Sequence, residues 1–113
     1  MSKIRQYENE YGKLLNDINK ALYREEREEI PKKIPPLINR YSKLQNAIYG
    51  EINVIQRSIT TDTQKFEIKA IDGNARAAKM TAQIIFAKID DLYKATTLSD
   101  KITDLYYELK RYK

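Results

Sequence analysis

Asp90-Asp91 is the only adjacent pair of aspartates in the chain, and paired carboxylates are where acid–base catalysis or divalent-cation binding would begin. On a helix, however, neighbours point about 100° apart, so the two carboxylates neither share a proton nor close on one ion. Glu25, Glu26, Glu28 and Glu29 form a denser acidic run, but Arg24 and Arg27 stand among them and oppose a cation. The chain has no His and no Cys, which excludes His-based triads, His-ligated zinc or iron, thiolate sites and disulfides. Gly12, Gly50 and Gly73 are isolated, so there is no glycine-rich phosphate loop. No catalytic residue, cofactor site or metal site is predicted, and the chain is expected not to be an enzyme.

What remains is surface chemistry. There are 9 Tyr against 2 Phe and no Trp, so phenols supply most of the aromatic area. Tyr7, Tyr11, Tyr41 and Tyr112 fall on apolar helical stripes and are expected in a core or an interface. Tyr106-Tyr107 point to different sides of their helix. The formal charge is +5, and the excess is concentrated between residues 30 and 60, where five cations, Lys32, Lys33, Arg40, Lys43 and Arg57, face one acid, Glu51. Those five are the candidate contacts for an anionic partner, with tyrosines stacking on bases if that partner is single-stranded nucleic acid. Intermixed charge of this size falls short of a dedicated basic face, which ranks nucleic acid below a protein partner.

The elements that must position these groups read as helices. With 33% charged and 42% apolar residues and only 3 Gly and 3 Pro, the fold class is all-α, a single domain over residues 1–113. The organising stretch is Leu37, Tyr41, Leu44, Ile48, Ile52, Ile55 and Ile59, spaced 4, 3, 4, 4, 3 and 4, one continuous stripe and the candidate interface. Before it, Ser2 is placed to cap a helix over 2–29 carrying Ile4, Tyr7, Tyr11, Leu14, Ile18 and Leu22. Pro31, Pro35 and Pro36 predict a linker over 30–35, with Pro36 opening a helix over 36–59.

Residues 60–73 are ambiguous: Thr60, Thr61 and Thr63 are polar and β-branched, and Phe66, Ile68 and Ala70 alternate like a strand entering Asp72-Gly73. A helix is favoured there, followed by a break at Asp72-Gly73-Asn74, with Asp72 or Asn74 capping a helix over 74–95. Thr97 and Asp100 have the spacing of a further helix start, giving a last helix over 98–112 with Leu98, Ile102, Leu105 and Leu109. The expected architecture is an antiparallel bundle of three to four helices, the alternative being a coiled-coil-like helical hairpin with one very long helix.

The run Tyr7-Glu8-Asn9-Glu10-Tyr11-Gly12-Lys13-Leu14-Leu15-Asn16-Asp17-Ile18 resembles the opening helix of the N-terminal three-helix domains of Vti-type SNARE proteins. The resemblance implies another short amphipathic bundle, and no family is assigned from it. Abundant Ile, Lys, Tyr and Asn without Trp, Cys or His suits an AT-rich phage, virus or plasmid genome. The functional expectation is a helical assembly protein whose partner is itself or another subunit, for instance in a virion. A monomeric binding module such as a trafficking adaptor or an inhibitor comes second, and a basic nucleic-acid accessory protein third. No signal peptide and no membrane span are expected, which suggests a cytoplasmic or intracellular location.

Overall fold

In the computed structural model, residues 3–23 and 28–111 are described, and all regular structure among them is helical: α1 (Ile4–Tyr23), α2 (Ile30–Ile71) and α3 (Ala75–Lys110). Ser2, the run 24–27 and Tyr112 lie outside the described residues. The all-α expectation holds, in a form between its two versions. α2 and α3 make a long antiparallel hairpin, and α1 lies along one end of it, antiparallel to α2. The whole is a rod of 69 × 18 × 17 Å.

Three expected boundaries are corrected. The prolines do not make a linker, because α2 already starts at Ile30 and carries Pro35 and Pro36 inside it. Pro31 sits in the first turn, where an amide has no helical acceptor. Pro35 and Pro36 each delete one bond to an exposed carbonyl four residues back, while Ile30, Ile34 and Leu37 on the inner face are buried against the other two helices and hold the turn closed. Nor does α2 stop at Ile59. The hydroxyls of Thr60, Thr61 and Thr63 donate to the carbonyls of Gln56, Arg57 and Ile59 at 3.1, 3.1 and 2.8 Å, which satisfies the polar segment within the helix. The expected break before Leu98 is also absent, since Thr96 bonds back to Leu92 and Tyr93 at 3.0 Å and α3 runs through.

The break at Asp72-Gly73-Asn74 is where sequence chemistry placed it. Gly73 has φ +78°, the left-handed conformation that closes helices. Its amide donates to the Ala70 carbonyl at 3.2 Å, and the Asn74 amide reaches back to Lys69 at 2.9 Å. Asn74 then turns to its second task. Its side-chain oxygen accepts from the Ala77 amide at 3.2 Å and caps α3.

The core occupies the three-helix end. Leu14, Ile18 and Leu22 of α1, Ile34, Leu37, Leu44 and Ile48 of α2, and Leu98, Ile102, Leu105 and Leu109 of α3 form one cluster, which Ile4, Ile55 and Ala95 extend. The stripe offered as the candidate interface is therefore spent inside the chain: Leu37, Leu44, Ile48 and Ile55 are buried, and Tyr41, Ile52 and Ile59 are half-buried against the same clusters. The physical reason is that α1 and α3 present matching stripes at the same height.

Candidate interaction surface

α1 starts at Ile4, level with Ile55 and Ala95, and beyond that level the hairpin continues as two helices alone. Between residues 56 and 94 only Ala78 and Thr81 are buried. Yet this half carries Ile59, Phe66, Ile68, Ile71, Met80, Ile84, Ile85, Phe86, Ile89, Leu92 and Tyr93. Its construction is partly inverted: the buried seam residues are small, Ile59, Phe66, Ile85 and Leu92 are half-buried, and the other seven large ones stand exposed. Ala77, Ala78 and Thr81 let the helices approach closely, while Phe86 is 69% and Tyr93 70% exposed.

Ile68 and Ile71 stand exposed on α2, and on α3 the exposed groups lie on both flanks. Met80 and Ile84 continue the line of Leu98, Ile102, Leu105 and Leu109, the side that α1 covers lower down. Ile84 and Phe86, two residues apart, point roughly 200° from one another. Phe86 therefore belongs to a second line, Ala82, Phe86, Ile89 and Tyr93, spaced 4, 3 and 4. That second line turns away from the Leu98 line that α1 covers and comes near α1 at Tyr93, which shares a groove with Glu8. Contiguous exposed apolar patches of this extent are uncommon on isolated chains in water.

Two polar clusters fix the hairpin's register. In the three-helix half, buried Gln45 donates to the Ser99 carbonyl at 3.4 Å and to the Thr103 hydroxyl at 3.0 Å, and the Ser99 hydroxyl donates to Gln45 Oε1 at 3.1 Å. In the two-helix half, Lys88 bridges Asp62 and donates to the Ser58 hydroxyl at 2.6 Å. Sequence reading missed both clusters. Their signal was a polar residue at heptad spacing inside an apolar stripe.

The tyrosines divide as their spacing implied. Tyr41 stacks on Tyr106 with ring centres 5.0 Å apart, and Lys110 stands 5.6 Å from the Tyr106 centroid, whereas Tyr107 is exposed. Burial raises the pKa of the Tyr11 phenol, and the charge of Asp104 adds to the rise. Tyr41 is raised chiefly by burial, against a hydrogen bond with Gln45 that lowers it.

The five candidate cations do not converge. Lys32 and Arg57 are separated along α2 by roughly 37 Å at 1.5 Å per residue. Arg40 is tied to Asp17 at 2.6 Å, and Lys32 lies 3.8 Å from Glu29. Lys43 is exposed, and Arg57 lines a shallow depression with Asn53, Gln56, Thr60, Thr61 and Gln64. Lys33 and Arg40 do meet, with Lys20, around a groove between α1 and α2, but Asp17 stands in the middle of it. Asp90 is paired with Lys94 at 3.4 Å rather than with Asp91. Among the described residues no group of three acidic side chains is gathered to hold a metal ion, and no helix is long and apolar enough to cross a membrane. No protein-family model, curated protein or solved structure matches the chain.

Proposed function

We propose that the chain is a non-enzymatic helical protein–protein interaction protein of the kind that builds multi-subunit assemblies. Its three-helix end acts as the folded base and its two-helix end as the binding arm. One observation carries this reading: from residue 56 to residue 94 the hairpin fully buries none of its eleven large apolar side chains and leaves seven of them exposed. Evolution of an isolated rod would favour polar groups at such sites, because each exposed Phe or Ile forgoes about 1.5–3 kcal/mol of burial. A protein partner supplies that burial, with aromatic residues as anchors. Basic side chains scattered along one helix, two of them tied to acids, support nucleic-acid binding far less well.

The test is photo-crosslinking in the source cells, with a crosslinking side chain at position 86 and, as a control, at exposed position 13. A discrete protein adduct from position 86 and none from position 13 is the expected result. No adduct from position 86 removes the reading.

A further inference from the structure

We infer that the partner on the second line of α3 is another copy of this chain, with the two α3 helices running antiparallel about a two-fold axis between Ile89 and Asp90. The inference rests on the reading of the two-helix end as a protein-binding arm and names its occupant.

The line Ala82, Phe86, Ile89 and Tyr93 ends at each side on a charge. Lys79 lies ten residues before Ile89 and Asp100 eleven after it, both on the same helical face. Both are exposed, and neither joins an ion pair among the described residues. A strip that is apolar in the middle, basic at one end and acidic at the other is complementary to its own reverse. Laid antiparallel on a second copy with the axis midway between Ile89 and Asp90, the two Ile89 side chains flank the axis, Phe86 meets Tyr93 of the second copy, Ala82 meets Thr97, and Lys79 meets Asp100. The two-fold makes every one of these contacts twice. A parallel arrangement fails on the same residues, since it sets Lys79 beside Lys79 and Asp100 beside Asp100. Asp90 falls near the axis at the rim of the strip, where Lys94 at 3.4 Å offsets its charge.

Area and shape agree. The chain exposes 8130 Å², whereas a compact monomer of its mass exposes roughly 6,500 Å². The excess is more than the roughly 800 Å² that one partner gives up in an ordinary stable interface. The radius of gyration is 19.6 Å, against about 13 Å for a compact chain of this length. α1 covers the Leu98 flank and borders this line at Tyr93, which shares a shallow groove with Glu8, while Phe86 and Ile89 stand exposed.

The experiment is sedimentation equilibrium on the full chain from low micromolar to submillimolar concentration, with four variants: Phe86→Asp, Lys79→Glu, Asp100→Lys and the double charge swap Lys79→Glu/Asp100→Lys. The wild type is expected to dimerise. Phe86→Asp, at a site too exposed to affect folding, is expected to weaken the dimer more than a hundredfold with helicity unchanged. Each single charge reversal is expected to weaken it about tenfold, and the double swap to restore it. A wild type that stays monomeric throughout overturns the self-pairing, as does a dimer indifferent to Phe86→Asp, or a double swap no better than either single. If the wild type is monomeric while position 86 still crosslinks to a different protein, the binding arm stands and only its occupant is wrong. If it is monomeric and nothing crosslinks, both readings fall.

Discussion

Gln45 and Ser99 hold one another across the buried seam of the hairpin. The amide of Gln45 donates to the Ser99 carbonyl, and the Ser99 hydroxyl donates back to Gln45 Oε1. Neighbouring positions in the seam are apolar and would tolerate a shift by one heptad, but a displaced Gln45 would lie buried without partners. The pair thus sets which residue of α2 faces which residue of α3 along the hairpin.

Replacing Gln45 with Ala should destabilise the fold by about 1–3 kcal/mol, since the Ser99 hydroxyl and its surroundings lose a partner away from water. Gln45→Leu combined with Ser99→Ala should recover most of that stability and lose register. Urea unfolding measures the first effect. Distances between spin labels at residues 60 and 86 measure the second, as a distribution that broadens in the double variant.

Ile52 and Phe86 give opposite outcomes from the same change. Ile52 packs against both core clusters, so Ile52→Asp puts a charge among apolar side chains and should cost about 3–5 kcal/mol, enough to lose most of the helical circular-dichroism signal in a domain of ordinary stability. Phe86→Asp should leave that signal intact. A helical Ile52→Asp variant would mean that the long stripe of α2 is covered by something other than α1 and α3.

These contrasts mark how far the sequence could be read. The helical class, the buried α2 stripe and the turn at Asp72-Gly73-Asn74 were legible because each depends on local chemistry: spacing, a glycine free to take positive φ, an asparagine able to cap. The prolines and threonines misled because their local preference was overruled. Ile30 and Ile34 bury beneath Pro31 and Pro35, and threonine hydroxyls bond to their own helix. The exposed line of Phe86 and Tyr93 was hidden for a different reason. Its spacing is the same as that of a core stripe, and which stripe finds cover depends on which flank of α3 the other helices pack against, a tertiary choice that local spacing does not carry.

The turn makes a further prediction. Gly73→Ala keeps an open site for the methyl group but forces an L-residue to φ +78°, and Asn74→Ala removes the cap on Ala77. Each should cost about 1 kcal/mol. Because the seam nearby is thin, the loss should appear locally. Hydrogen exchange should quicken for amides at residues 62–70 and 78–88 while those at 98–109 keep their protection.

The last prediction concerns alkaline pH. Tyr11 and Tyr41 have phenols raised above 10.0 by burial, so the folded chain resists their ionisation while the unfolded chain ionises them near 10. The unfolded state therefore loses protons first. Stability is level below that value and falls as pH climbs through the unfolded pKa to the raised folded ones. Two tyrosinate signals at 295 nm should rise late, and urea midpoints should drop as pH climbs past the unfolded phenol value of about 10. Tyr11→Phe has no proton to lose and should shallow that drop. It also spares the phenol its repulsion from Asp104, so Asp104→Asn with Tyr11 retained should shallow the drop less than Tyr11→Phe does, burial being the larger cause.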